Sequence, residues 1–294
     1  MKIAVSFDTL QKRIDWKNYV SMILEEIINN KVDVFDIRIK ELPVGYDFHL
    51  DIDSSENHYI VKPNTKTIYW CFDAWANYTE DKFLRQEFYI ERCKKADYVL
   101  SASSATQKNL ARYDVKSEVL LPGYIDFSLK SQKRDIDIAY IGNTWWFDGS
   151  INGSLNKTKY YIDLINKGFG NKYKVLIGSG YTLPEVYDIY NRSKIVFNHT
   201  TCGANHLSNR VFEALYCGAF LITNYVEDLD LLELVEAEDY ISYDSEEYLL
   251  GIVEEILKDN DALETISNNG HKKILNKFST ENSLNRILQV AKES

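Results

Sequence analysis

The chain has no glycine between Ser6 and Asp15, where a first strand passes into its helix, so a pyrophosphate has no close approach to that turn's backbone. In Gly178-Ser179-Gly180 the third glycine of a dinucleotide fingerprint is replaced by Leu183, which argues against a nicotinamide dehydrogenase. Long apolar runs are missing too: none approaches the roughly 18–20 residues needed to span a bilayer. The four cysteines, Cys71, Cys93, Cys202 and Cys217, show no paired spacing, and a reducing, cytoplasmic compartment is expected. Positive charge is in deficit, with 34 Lys and Arg against 44 Asp and Glu for a net charge of −10. That balance argues against broad nucleic-acid binding, though a local basic groove is compatible with it. The opening residues Met1 to Asp8 read as a strand ending in a carboxylate rather than as a cleavable signal. Neither an internal repeat nor a low-complexity tract is visible.

What is present is alternation. In the first half, 2–7, 32–39, 65–72, 97–102 and 117–121 read as strands, and 15–30, 80–95 and 104–112 as helices. An extra strand is placed near Tyr46–Ile52 in the less regular segment 43–60. Pro122-Gly123 marks a loop, and the polar stretch Ser128 to Asp135 reads as the interdomain linker. A second series follows, with strands at 136–141, 173–177, 194–198, 219–223 and 239–242. Helices are expected at 157–168, 184–191, 208–217, 228–236, 246–258, 261–277 and 280–292. Such alternation argues for parallel sheets covered by helices, and 294 residues suit two domains.

Residues 195–223 carry the most information. An apolar run, Ile195 to Phe197, stops at a polar loop; a helix begins near Ser208, Gly218 ends it, and a second apolar run reaches Thr223. In an open parallel sheet, ligands bind where strand ends meet helix N-termini. At about 100° per residue Asn209, Arg210, Glu213 and Cys217 share one helix face, with Val211, Phe212 and Leu215 on the other. Taken alone, Arg210 and Glu213 also fit a solvated i,i+3 pair contributing about 0.2–0.5 kcal/mol.

The stretch "SNRVFEALYCGAFLIT", with "DIDIAYIGN" (135–143) upstream and "GHKKILNKFST" (270–280) downstream, resembles the C-terminal signature of CgeB-like glycosyltransferases. The resemblance covers the second half of the chain well and the first half in outline. It implies an α/β protein of two doubly wound Rossmann-like domains facing across a cleft, the GT-B type. Residues 1–128 would form the acceptor-side domain and 129–294 the nucleotide-sugar-binding domain, the last helix crossing back to the first.

The resemblance also assigns roles. The glutamate of "F-E-A", here Glu213, would hydrogen-bond the donor ribose, two carboxylate oxygens suiting two adjacent hydroxyls. The glutamate that large retaining families carry eight positions earlier is Asn205 here, so the stereochemical outcome is not borrowed from them. Gly142 and Asn143 end a strand where a phosphate or sugar would approach the main chain. The basic residue usual shortly after them is replaced by Thr144-Trp145-Trp146-Phe147, whose tryptophans fit either stacking or buried packing. Arg210 is the substitute for the diphosphate, since guanidinium grips phosphate bidentately and the helix start at Ser208 and Asn209 adds its dipole; Lys157 and Lys159 are weaker candidates. Gly178 would lie beside the nucleotide or serve a plain tight turn. Asn198 and His199 would end a strand at the donor pocket, the imidazole contacting diphosphate or sugar. His199, Cys202 and His206 have a zinc-like spacing without a fourth ligand, and no metal is assigned.

In the fold that the resemblance implies, the acceptor and the base that deprotonates it come mostly from the first domain. Asp73, after the buried run "TIYWCF", is the leading catalytic candidate and Asp8 the second; either also fits a helix cap. His49 and His58 are possible acceptor contacts, exposed histidines being the default. The expected activity is metal-independent transfer of a sugar from a nucleotide-diphosphate sugar to an acceptor hydroxyl, with no cofactor beyond that co-substrate. The acceptor is open among glycan, protein, metabolite and modified nucleobase. The alternatives are a nucleotide-sugar epimerase or hydrolase of the same fold, or a non-catalytic nucleotide-sugar-binding module.

Overall fold

The computed structural model describes residues 1–7, 16–36, 44–52, 65–72, 90–142, 154–200 and 207–293. They divide into two compact units, Met1–Ile125 with Thr280–Ser294, and Asp126–Ser279. Unit 1 is built on β1 (Ile3–Phe7), β2 (Val32–Asp36), β3 (Phe48–Ile52), β4 (Thr67–Cys71), β5 (Tyr98–Ser101) and β6 (Glu118–Val119). They lie in the order β2-β1-β3-β4-β5-β6 with every pairing parallel. β1, β3 and β4 are buried along their whole length, as a sheet covered on both faces requires. The segment read as an extra strand is β3, at the centre of the sheet beside β1. Helices α1 (Trp16–Ile28) and α2 (Ser104–Ala111) belong to this unit. Trp16 of α1 meets Trp70 edge-on and Phe72, each at 5.2 Å between ring centroids.

Unit 2 carries β7 (Ile136–Ile141), β8 (Val175–Gly178), β9 (Ser193–Asn198), β10 (Phe220–Asn224) and β11 (Ile241–Tyr243), in the parallel order β11-β10-β9-β7-β8. Its helices are α3 (Ser154–Phe169), α4 (Leu183–Asn191), α5 (Asn209–Tyr216), α6 (Glu246–Lys258) and α7 (Asn260–Ile274). Ile138, Tyr140, Phe197 and Ile222 of the sheet share one apolar core with Ile162 and Ile165 of α3 and Leu249 and Val253 of α6. Helix α5 packs against α4 and α7. The stretch 128–135, read as linker, is tied into this unit: Arg192 donates to both Asp135 carboxylate oxygens at 2.8 and 2.9 Å. The helix expected over 228–236 is instead a short 3₁₀ turn, Glu227–Leu232, ended by Glu233 at φ 57°. Buried Leu229 and Leu232 stand three apart, the repeat at which 3₁₀ side chains eclipse, so tertiary burial favours the tighter turn.

The last helix, α8 (Thr280–Glu293), belongs to unit 1 and packs on α1. Thr280 is fully buried; its N–H donates to Tyr124 O at 2.7 Å and its Oγ1 accepts from Trp16 Nε1 at 3.1 Å. Arg286 grips Glu118 through two bonds of 2.8 Å.

Numbered within its unit, each sheet begins 2-1-3-4-5, so the chain reverses direction between its first and third strands. Ligands in open α/β sheets gather outside the carboxyl ends of the strands at such a reversal. The two positions are β1/β3 and β7/β9. At the second, the chain leaves β7 towards β8 and leaves β9 the opposite way towards β10. Right-handed crossovers then put α3 and α5 on opposite faces, with a crevice between the two loops.

Candidate functional site

The carboxyl ends of β7 and β9 are joined by one side chain. Arg210, in the first turn of α5, donates from Nε to Ile141 O at 2.9 Å and from Nη1 to Asn198 Oδ1 at 2.6 Å. Its guanidinium lies 4.2 Å from the centre of the Tyr140 ring, a cation–π contact. Tyr190 of α4 donates to the same Ile141 carbonyl at 3.1 Å. Burial works against the guanidinium's charge, but Tyr140, Tyr190 and Glu213 outweigh it and hold its pKa above the ordinary value. The cation is therefore permanent, and its hydrogen-bond partners are neutral oxygens.

Gly142 follows from this arrangement. A Cβ there would stand 2.2 Å from Arg210 Nη2 and 2.9 Å from the Tyr140 hydroxyl. The sequence reading gave that glycine to a ligand's approach; in the structure the neighbouring guanidinium and phenol already require it. Its N–H donates to Gly178 O at 2.9 Å, joining the ends of β7 and β8. Gly178 has its own neighbour, since a Cβ would meet the Tyr181 ring at 2.6 Å, and Gly180 takes φ 90°.

Asn198 is fully buried. Its Oδ1 accepts from Arg210 and, at 2.8 Å, from Ser208 Oγ, while Nδ2 donates to Thr223 Oγ1 at 2.8 Å. The amide is thus a strut between β9, β10 and the start of α5. Ser208 occupies the N-cap with extended backbone, yet its hydroxyl reaches Asn198 and makes no side-chain cap bond to the helix. Asn209 is half-buried at the head of α5.

Glu213 is buried, as are Val211, Phe212, Ala214, Leu215 and Tyr216 around it, so the solvated-pair reading of Arg210 and Glu213 does not hold. From Val211 to Tyr216 the helix has no solvent face, because it packs against α4, α7 and the sheet. Burial pushes the Glu213 carboxyl up to about 7, with the Arg210 charge drawing it back part of the way. Such a group changes charge near neutrality and accepts hydroxyl donors best once ionised.

His199 turns to the other face of the sheet. Its Nδ1 lies 2.5 Å from the Tyr243 hydroxyl, and its ring packs on Tyr161 with centroids 4.7 Å apart. Among the described residues no cluster of three or more His, Cys, Asp and Glu side chains is placed to hold a metal ion. Cys202 and His206 of the zinc-like spacing lie outside the described residues, as do Asn143, Asn205, Asp8, Asp73 and His58.

Sequence reasoning missed Arg134. It donates to Ser193 O, to Cys217 O at 3.0 Å and to Gly218 O at 2.5 Å, closing the C-terminus of α5 onto the start of β9. A cation at the negative end of a helix dipole is favourable. Gly218 at φ 62° supplies the left-handed residue that exposes those carbonyls, and it was the only local signal for the clamp.

The first reversal point is also polar. Arg92 donates to both oxygens of Asp51 at 2.5 and 3.0 Å, and Ser6 Oγ donates to Asp51 at 2.8 Å and lies 2.8 Å from His49 Nε2. All four are buried, which corrects the default reading of His49 as an exposed histidine: β3 is a central strand. Burial pushes His49 down to about 4, Arg92 adding to the effect and Asp51 opposing it. Burial pushes the Asp51 carboxyl up, but Arg92, His49 and Ser6 together hold it below the usual carboxylate range.

Comparison with known proteins agrees with this geometry. No curated protein sequence matches the chain significantly. Anabaena HepE in complex with UDP and glucose superposes with a TM-score of 0.64 at 12% identity, over 100% of both chains. Sucrose-phosphate synthase from Thermosynechococcus elongatus gives 0.65 at 12% identity, over 100% of this chain and 98% of that one. T4 phage BGT in complex with UDP and Mn2+ gives 0.63 at 13% identity, over 100% of both. At these identities the likeness establishes the fold, two parallel-sheet α/β units of the GT-B type. The sequence profile of the glycosyl transferase-like family matches residues 129–289, more than half of the 294-residue chain and all of β7 to α7. The chain therefore belongs to the glycosyl transferase-like family: it is a glycosyltransferase.

Proposed function

We propose that the second reversal point binds a nucleotide-diphosphate sugar and that its sugar is passed to an acceptor hydroxyl. The observation that carries this reading is the permanent Arg210 cation, held by neutral oxygens at the joined ends of β7 and β9, one helical turn from the buried carboxyl of Glu213. An anionic diphosphate would complete the charge of the first group. The ribose hydroxyls would satisfy the second in its ionised form. HepE, sucrose-phosphate synthase and BGT share the fold, and the HepE and BGT structures contain UDP, which supports a nucleotide-bound donor of this class.

The finer assignments rest on the sequence. The motif from Ser208 to Thr223 supports membership of the CgeB-like group within the wider family. Asp73, then Asp8, is the candidate general base. Its conjugate acid forms as the acceptor oxygen attacks the anomeric carbon and the nucleoside diphosphate departs. Catalysis would use no resident metal, although the BGT structure contains Mn2+. No helix among the described residues is long and apolar enough to cross a membrane, and action in the cytoplasm is part of the proposal.

Thermal-shift titration with a panel of nucleoside diphosphates and nucleotide sugars tests the reading. A ligand at 100 times its Kd should stabilise the folded protein by about 2.7 kcal/mol. Glu213→Ala should abolish that shift. No response of the natural protein to any member of the panel would overturn the donor site.

A further inference from the structure

Two oxygens hold the Arg210 guanidinium: the Ile141 carbonyl, which no substitution charges, and the Asn198 amide, which is a single atom away from a counter-ion. Asn198 is fully buried at the carboxyl end of β9. A guanidinium only donates, so the amide atom facing Arg210 Nη1 at 2.6 Å is the oxygen. Ser208 Oγ donates to the same oxygen at 2.8 Å. The nitrogen is left to face Thr223 Oγ1 at 2.8 Å and Thr200 Oγ1 at 3.5 Å, and the Thr223 hydroxyl donates onward to the Asn224 carbonyl at 3.0 Å. The amide is therefore held from both sides, with its oxygen to the cation and its nitrogen away from it. Both of its polar atoms are engaged within the protein.

We infer that Asn198 is a positioning residue of the donor site and that its working property is the absence of charge. It meets Arg210 with the geometry of an ion-pair partner and leaves the positive charge uncompensated for a diphosphate. The same chain contains the opposite case. Asp51 stands in the carboxyl-end half of the third strand of unit 1, as Asn198 does in unit 2, and it accepts from Arg92 at 2.5 and 3.0 Å in a fully buried pair. Asparagine and aspartate share one shape, so exchanging them at 198 alters charge with little change in packing. An aspartate there has donors for both oxygens, because Arg210 and Ser208 keep their bonds and the Thr223 hydroxyl turns from the Asn224 carbonyl to the new oxygen. Its carboxylate neutralises the guanidinium at hydrogen-bond distance and repels an incoming anion, both strongly at a site screened from water. This inference rests on the donor reading proposed above and adds what sets the strength of the site.

Calorimetric titration of three proteins tests it: the natural chain, Asn198→Asp and Asn198→Ala, with whichever of UDP, GDP, ADP, CDP and dTDP the natural chain binds. Asn198→Ala removes the bonds and adds no charge, and should weaken the diphosphate about tenfold. Asn198→Asp keeps the bonds and adds the charge, and should weaken it about a hundredfold or more, in a protein that melts cooperatively and keeps its near-ultraviolet circular dichroism. An amide that serves only as a strut predicts the reverse order, since aspartate preserves the contacts with Arg210 and Ser208 and alanine preserves none. Binding by Asn198→Asp as tight as or tighter than that by Asn198→Ala, or failure of Asn198→Asp to fold, overturns the role given to Asn198 while leaving the donor site standing. A natural protein that binds no member of the series removes the donor reading instead, and this inference with it.

Discussion

The two reversal points are alike in topology and opposite in electrostatics. Each has an arginine side chain reaching the carboxyl-end half of the third strand of its sheet. In unit 1, Arg92 meets Asp51 in a fully buried, two-bond ion pair, and the charge is closed on itself. In unit 2, Arg210 meets a carbonyl, an amide oxygen and an aromatic face, while Glu213, one helical turn on, is pushed towards its neutral form. A neutralised buried pair fixes strands and has little left for a ligand. A cation held by neutral groups keeps its attraction for an anion. The same fold thus makes a strut in one unit and, on the reading proposed above, a donor site in the other, and the difference lies in which residue opposes the arginine.

The largest effect that would break this contrast is on stability. Arg92→Met strands the Asp51 carboxylate in the core and should cost about 3–5 kcal/mol, measured as a lowered urea midpoint. A cost under about 1 kcal/mol would show that the pair does little to hold β3 in the sheet. The pH sign follows from Asp51: because its folded pKa is depressed, its stabilisation is present above the unfolded carboxylate pKa and is lost as pH falls through the lower folded value.

Glu213 has the reverse sign. Its folded pKa of about 7 exceeds the unfolded value of 4.5, so the native state holds its proton longer and stability declines as pH rises from about 4.5 to about 7. The decline should be on the order of 2–3 kcal/mol, and Glu213→Gln should flatten it in denaturation curves collected across that range. Donor binding should run the other way, tightening as pH rises and releasing a proton near neutrality. Calorimetry in two buffers of different ionisation enthalpy would detect that release, and equal heats in both would count against ribose binding by the carboxylate.

Gly142→Ala forces the Arg210 guanidinium aside. It should cost roughly 1–3 kcal/mol in stability and at least tenfold in donor affinity by calorimetry. The smallest effect belongs to Ser208→Ala, which removes a donor to Asn198 and should cost about 0.5–1.5 kcal/mol in thermal unfolding. An unaltered melting curve for Ser208→Ala would show that Asn198 is held well enough by Arg210 and Thr223.

How much of this was legible depended on range along the chain. The alternation of strands and helices, the helix start at Ser208 and the grouping of Arg210 with Glu213 are local features, and periodicity carries them. Arg134 was invisible because it acts on Gly218, 84 positions away. Arg92 was invisible for the same reason, its partner Asp51 lying 41 positions upstream. His49 was misjudged because the strand placed near Tyr46–Ile52 carried no local sign that it would lie inside the sheet, a position set by pairing with β1 and β4. Gly142 was recognised as a close approach, but the group approaching it, from 68 residues downstream, could not be named from its neighbours.

By itself the chain's order of residues settled two parallel-sheet units and a polar helix start after β9, because backbone geometry and hydrophobic period are decided within a few residues. Only the assembled structure decided that Arg210 bridges Ile141 and Asn198, that Glu213 is enclosed, and that the Tyr243 hydroxyl lies against His199. Charge, burial and proton position depend on which distant groups the fold brings within hydrogen-bond reach, and that choice is made by packing.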